Sequence, residues 1–214
     1  MKTLIALLLI SSCASRVEKA VRDVKYSAWE KVGVEKRDLF KKEITNVKAD
    51  QEESSEEFKD ALERLQELYG VDNGNLERGY FKLNTSYKNA QKEAAEVNES
   101  IKKLDHVAND LFIEWAEEIK EIKTSGMRSQ SQKQLKDTKA RYQKLHEQLV
   151  SSEKKMTPVL DKLHDQVLFL KHNLNAKAIA GLKAEGARIE SDIEALMKEV
   201  NSSIEEADKL IKEL

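Results

Sequence analysis

The stretch Leu76–Trp115 reads LERGYFKLNTSYKNAQKEAAEVNESIKKLDHVANDLFIEW, and it decides the fold. Its apolar side chains return at alternating steps of three and four residues, which is the spacing that keeps one face of an α-helix against partner helices. Ile122 continues this apolar seam, and only Glu118 falls out of register. The pattern predicts one long helix over residues 75–124. The seam residues are Leu76, Tyr80, Leu83, Tyr87, Ala90, Ala94, Val97, Ile101, Leu104, Ala108, Leu111 and Trp115.

The same spacing recurs in three further stretches of the chain. The preceding stretch has Val47, Phe58, Ala61, Leu65 and Leu68, with Gln51 and Ser54 as polar interruptions. The next stretch has Leu135, Tyr142, Leu145, Leu149, Met156, Val159, Leu163 and Leu170. The last stretch has Ile179, Leu182, Gly186, Ile189, Ile193, Leu196, Val200, Ala207, Leu210 and Leu214. These four seams predict helices over residues 17–69, 75–124, 131–172 and 176–213.

Short connections place successive helices antiparallel. The sequence therefore predicts an all-α fold, an elongated antiparallel bundle of four long coiled-coil helices. Residues 17–214 are expected to form this bundle as one domain.

Turn-forming residues mark the breaks between the helices. Ser125-Gly126 is predicted to end the second helix. Ser131 stands three residues before Gln134, the capping-box spacing that begins a helix. The other two breaks are marked by residues that favour turns and caps, namely Gly70, Asp72, Asn73, Gly74 and Asn75, and then Asn173 and Asn175.

Pro158 leaves an alternative open in the third helix. Thr157-Pro158 has the form of a cap followed by a first-turn proline, which would split the helix. However, Leu149, Met156 and Val159 keep one phase through this point. That continuity favours a kinked but unbroken helix.

The composition supports helix and excludes some classes of function. Charged residues are 36% and aromatic residues 6%, and the chain has seven Gly and one Pro. This composition is poor in turn formers and rich in straight-chain helix formers. The formal net charge of −2 argues against a nucleic-acid partner, because phosphate binding needs a clustered basic surface. Cys13 is the only cysteine, so no internal disulfide is possible.

The first residues have the form of a secretory signal. Lys2 precedes an unbroken apolar run over residues 4–10, which is too short to cross a bilayer as a helix. Ile10-Ser11-Ser12-Cys13 resembles the lipobox of bacterial lipoproteins. The resemblance implies a signal peptide over residues 1–12, a lipidated Cys13 and a tether over residues 13–16. Ala14, in place of the usual retention residue Asp, implies sorting to the outer membrane, facing the periplasm.

Two segments resemble a specific family. Residues 26–37 read YSAWEKVGVEKR, and residues 165–176 read DQVLFLKHNLNA. Both are similar to segments of the domain of unknown function 2959 family of bacterial lipoproteins. The resemblance extends over essentially the whole mature chain and implies an envelope lipoprotein with a long helical body. It implies no established activity.

The sequence contains no pattern typical of an active site. Asp161-x-x-His164 has the spacing of a metal-binding pair in helical bundles, but no second copy completes it. Nucleophile-elbow and phosphate-loop patterns are also missing. We therefore expect no catalytic residue, no metal, no cofactor and no small-molecule substrate, and the protein is predicted not to be an enzyme.

The apolar turn Val167-Leu168-Phe169-Leu170 is the feature with most bearing on function. A turn that is apolar on all sides is normally buried, and we expect it in the core. The alternative is a docking patch for another protein or for a second copy. Trp29 is a second candidate for such a patch, either packed in the core or placed at lipid headgroups.

These observations favour a non-enzymatic structural or interaction lipoprotein of the cell envelope. Its partners would be the membrane, through the lipid, and an envelope protein or a second copy. One alternative is a membrane-binding or membrane-remodelling helical protein. A second alternative is a metal-binding helical bundle.

Overall fold

The computed structural model describes residues 36–70, 75–174 and 176–214. The predicted signal peptide, Cys13 and Trp29 lie outside the described residues. The turn residues 72–74 and Asn175 also lie outside them.

Four long helices make up the described fold, as predicted. They are α1 (Lys36–Glu67), α2 (Leu76–Glu121), α3 (Ser125–His172) and α4 (Ala176–Glu213). A 3₁₀ turn, Leu68–Gly70, follows α1. Each helix packs against its neighbours in the chain, and α4 closes the ring against α1. The part of the chain that the structure describes contains no strand, so the prediction of an all-α antiparallel bundle is confirmed.

The seams are buried in the centre of this ring. Leu83, Val97 and Leu104 of α2 have no exposed surface. Near the end of α2 the seam passes around the exposed Glu118, because Ile119 is buried instead.

The polar interruptions of the first seam are buried too. Gln51 and Ser54 have no exposed surface. The Gln51 side-chain amide donates to the Ser152 hydroxyl across the bundle at 2.9 Å, and the Ser54 hydroxyl lies 3.8 Å from the Met156 sulfur. These contacts join α1 to α3 through the core.

The predicted start of α3 is wrong. The helix begins at Ser125 rather than at residue 131, and only residues 122–124 separate it from α2. Gly126 lies in the first turn, and no atom of a neighbouring element lies within 4 Å of the position that its Cβ would take. The Arg128 guanidinium donates to the Ile122 carbonyl at 2.8 Å and 2.6 Å. Ser131 is inside the helix, and its hydroxyl accepts from the Trp115 indole N–H at 2.9 Å instead of capping.

The structure also tests the predictions for Pro158 and Asn75. Pro158 lies inside the continuous helix α3, and Met156 and Val159 on either side of it are buried. The proline therefore does not split the helix. Asn75 occupies the N-cap position of α2, as predicted, but its side chain makes no capping hydrogen bond.

The bundle has two ends, which we call proximal and distal. The proximal end holds the start of α1, the α2–α3 connection and the end of α4, where Arg37 donates to the Leu214 carbonyl. The distal end holds the 3₁₀ turn, the start of α2 and the α3–α4 connection. With about 1.5 Å per residue, the 46 residues of α2 span about 70 Å. None of the described helices has an apolar stretch of the length that membrane crossing requires.

Candidate functional site

The apolar turn at the distal end of α3 is only half buried. Val167 and Leu170 are buried, but Leu168 and Phe169 are each 43% exposed. The expectation of a core turn is therefore wrong for Leu168 and Phe169. For these two residues the alternative interpretation, a docking patch, stays open.

The geometry of a four-helix ring explains this division. Among the described residues, each helix packs side by side with two neighbours and leaves its outer side uncovered, so a turn that is apolar on all sides cannot be covered completely. Leu163 and Leu170 are fully buried. Leu168 follows Leu163 by five residues, which rotates its side chain about 140° away from the core direction. Phe169 leans towards α4, where its ring edge lies 3.9 Å from the position that a Cβ of Gly181 would take.

Two further apolar side chains are exposed at the same end. Leu174 follows the end of α3 and is 41% exposed, and Phe81 on α2 is 57% exposed. Tyr87 stacks on His164 with ring centroids 5.2 Å apart. Because α2 and α3 are antiparallel, Phe81, six residues before Tyr87, lies level with the residue about six after His164, which is Leu170. We call Phe81, Leu168, Phe169 and Leu174 the distal apolar band.

Close helix contacts hold the base of this band. Leu68 of the 3₁₀ turn is fully buried and lies against Gly79 of α2, where a Cβ would be 2.3 Å from its Cδ2. Tyr69 lies against Gly186 of α4, where a Cβ would be 1.6 Å from the phenol oxygen. Burial raises the pKa of the Tyr69 phenol. Two glycines thus let the 3₁₀ turn clamp α2 and α4 together beneath the band.

Polar groups border the band on α3. The Asn173 side-chain amide donates to the Phe169 carbonyl at 2.9 Å, which closes the end of the helix. Lys171 and His172 are exposed. An apolar centre with a polar border is the usual anatomy of a protein–protein contact.

The histidine of the candidate metal pair has a structural contact. His164 stacks on Tyr87 in a nearly parallel arrangement, with 9° between the ring planes. Over the described ranges, no three His, Cys, Asp or Glu side chains converge as metal ligands would.

A polar cluster between α2 and α3 was missed by the sequence reasoning. The Tyr142 phenol donates to one carboxylate oxygen of Asp105, and the His146 Nε2 atom lies 3.1 Å from the other oxygen. Burial and the bond to Asp105 raise the pKa of Tyr142 well above its usual value. The ring of Tyr142 also packs edge-on against Phe40 and Phe112. The sequence did carry a signal for this cluster: Asp105 lies next to the seam residue Leu104, and pairing the antiparallel seams of α2 and α3 would have placed it opposite Tyr142.

This cluster opens into a groove of about 690 Å³. The Asp105 carboxylate is engaged on both oxygens, so the cluster ties α2 to α3. Lys139 lies on the groove wall with its ammonium 5.5 Å from the Phe112 ring centroid. The exposed side chain of Ile113 also lines the groove.

The proposed lipidation site and the second candidate contact residue, Cys13 and Trp29, lie outside the described residues. Of the predicted patch, the structure positions Val167 to Leu170, and Leu168 and Phe169 of these belong to the distal apolar band, whereas Phe81 and Leu174 were not predicted.

Comparison with known proteins identifies one matching family. The family model described as "Protein of unknown function (DUF2959)" matches residues 25–214. No curated protein and no solved structure matches the chain significantly.

Proposed function

The chain belongs to the DUF2959 family of proteins of unknown function, and we propose that it is a non-enzymatic interaction lipoprotein of the bacterial cell envelope. In this proposal Cys13 is lipidated after removal of residues 1–12. The helical bundle is a rod that is tethered to the outer membrane and faces the periplasm. The distal apolar band docks an envelope protein.

The distal apolar band is the observation that carries this proposal. Its four large side chains are 41% to 57% exposed, although the outer faces of the helices are mostly charged. Exposed apolar side chains that lie at one level of a charged surface are candidates for an interaction site. Aromatic residues such as Phe81 and Phe169 are common anchors of such contacts.

The position of the band supports a protein partner rather than the tethering membrane. The first described helix begins at Lys36 at the proximal end, and Cys13 precedes it by 23 residues. The band lies at the opposite end of a bundle about 70 Å long. With residues 17–35 continuing the first helix, as the sequence predicts, a rod tethered through Cys13 would carry the band away from its own anchor, towards a partner within the periplasm.

The test is co-purification after crosslinking in cells with two matched variants. Leu168→Ser with Phe169→Ser removes two exposed apolar side chains from the band. Ile113→Ser with Met127→Ser removes two others, 61% and 62% exposed, at the proximal end. Only the first variant should lose the crosslinked partner.

Thermal melts control for folding, and the mass of the crosslinked species helps to identify the partner. Thermal melts of both variants should show that the bundle stays folded at the growth temperature. A crosslinked species at twice the mass of the processed, lipidated chain would identify a second copy as the partner. Equal loss of the partner in both variants, or unchanged capture by the distal variant, would contradict the proposal.

A further inference from the structure

A basic face covers the first half of α3, at the proximal end. Residues 123–144 contain seven Lys or Arg side chains and one acid, Asp137, whereas the whole chain has a net charge of −2. The near-neutral total charge conceals this basic run, and the next acid of α3 after Asp137 is Glu147. Its outermost, exposed members are Lys123, Arg128, Lys133, Lys136 and Lys139.

The inner edge of this segment is neutralised within the bundle. Arg141 pairs with Glu213 of α4, and Lys144 pairs with Glu206 of α4 at 2.8 Å. These two cations are therefore committed to holding α3 against α4. They contribute little to an external contact.

The lysines on the outer side of α3 are not paired in this way by any described residue. Within the described residues, no carboxylate lies within ion-pairing distance of Lys123, Lys133 or Lys136. As far as the described residues go, their charge is open to solvent and to an anionic surface that approaches α3.

Carboxylates of the neighbouring helix limit this face on one side. Glu114 pairs with Lys36 at 3.0 Å, and Glu117 pairs with Lys120 at 2.6 Å. Glu118 is exposed on the same part of α2. The positive potential is thus confined to the outer surface of α3 and does not extend over the whole proximal tip.

Exposed apolar side chains accompany the lysines. Ile113 and Met127 are the two most exposed large hydrophobic residues described, at 61% and 62%. Met127 is adjacent in sequence to Arg128, and Ile113 lines the same groove as Lys139. An acidic protein surface would be matched by the basic side chains alone. Basic side chains with an exposed apolar one beside them also match the boundary between phospholipid headgroups and acyl chains.

We propose that this face of α3 binds an anionic lipid bilayer. The lysines and Arg128 contact the headgroups, and Ile113, which lines the groove beside Lys139, enters the layer below them. Because the face is confined to the proximal part of α3, this contact holds the proximal end at the membrane and leaves the distal apolar band free for its partner. This contact goes beyond the proposed docking function and does not depend on lipidation of Cys13.

Vesicle binding tests the proposal with residues 14–214, which lack Cys13 and retain all four packed helices. The chain should float with vesicles of phosphatidylethanolamine and phosphatidylglycerol at low salt. High salt should release it, and neutral phosphatidylcholine vesicles should not bind it. The salt effect follows from screening of surface charge.

Charge reversal supplies the matched control. Each basic residue near an anionic surface contributes on the order of a fivefold gain in affinity, so Lys133→Glu with Lys136→Glu should weaken binding by about 30-fold or more. Lys88→Glu with Lys103→Glu makes the same change in net charge at exposed positions of α2. This control should weaken binding by less than about threefold.

Three results would overturn the proposal, and one control distinguishes this site from the distal docking site. Failure of residues 14–214 to bind anionic vesicles, or equal loss in both charge variants, overturns the proposal. Salt-sensitive self-association that needs Lys133 and Lys136 without vesicle binding also overturns it, since the occupant would then be a protein. Leu168→Ser with Phe169→Ser should bind vesicles normally, so failure of the distal docking site is distinguishable from failure of this one.

Discussion

Replacing Gly186 by alanine should destabilise the bundle, whereas the same replacement at Gly181 should stabilise it. Both glycines lie within α4 and are five residues apart. A Cβ at Gly186 would lie 1.6 Å from the Tyr69 phenol oxygen and 2.6 Å from Cζ. A Cβ at Gly181 would meet only the edge of Phe169, at 3.9 Å.

Two opposing effects set the magnitude. Alanine in place of glycine within a helix stabilises by about 0.5–1 kcal/mol. Overpacking of a well-filled contact costs about 1–3 kcal/mol. At Gly181 only the first effect operates, so stability should rise by about 0.5–1 kcal/mol. At Gly186 the overlap with the ring dominates, so stability should fall by about 1–2 kcal/mol.

Denaturant unfolding of residues 14–214, followed by circular dichroism, measures both changes. A second background makes the test specific. In a Tyr69→Ala variant the overlap is gone, so Gly186→Ala should become stabilising by about 0.5–1 kcal/mol relative to that background. A destabilisation by Gly186→Ala that persists without Tyr69, or the same sign at Gly181 and Gly186, would refute the assignment of the clamp.

Three further predictions address the register, an ion pair and the anchor. Leu104→Ala, at a fully buried position, should destabilise by about 2–5 kcal/mol, whereas Lys103→Ala should stay within about 0.5 kcal/mol; similar values in denaturant unfolding would contradict the register. The Lys144 ammonium holds the pKa of Glu206 below its ordinary value of 4.5. The ionised pair therefore stabilises the fold above pH 4.5, and the stability advantage of wild type over Glu206→Gln should disappear as the pH falls through the lowered pKa; an advantage that persists in acid would exclude this source. Cys13→Ser should abolish palmitate labelling in cells, and equal labelling of both proteins would rule out lipidation at that residue.

The seam pattern predicted the fold well because burial in a bundle depends mainly on spacing. Leu83, Val97 and Leu104 recur at helical steps, and each is fully buried. The polar Gln51 is also compatible with a buried seam, because its side-chain amide donates to the Ser152 hydroxyl across the core. The start of α3 was harder to predict, because Ser125-Gly126 has the composition of a turn although the Arg128 side chain stabilises it as the first turn of a helix.

The functional surfaces were less predictable, because they depend on which faces remain uncovered. A local apolar run such as Val167–Leu170 does not reveal how many neighbours surround it. The structure does, and it leaves Leu168 and Phe169 exposed. The basic face was hidden for a related reason. The total charge balances its lysines against acids on other helices, and only the structure shows that Arg141 and Lys144 pair with α4 whereas Lys133 and Lys136 have no carboxylate partner among the described residues.

Photo-crosslinking in cells tests the central claim, the docking role of the distal apolar band, most directly. A photoreactive residue at Leu168 lies in the band, and one at Asp161, seven residues earlier, lies two turns away along the same exposed side of α3. We expect a photoreactive residue at Leu168 to capture a defined envelope protein, and one at Asp161 to capture none. Capture of the same protein from both positions, or from neither, would contradict it.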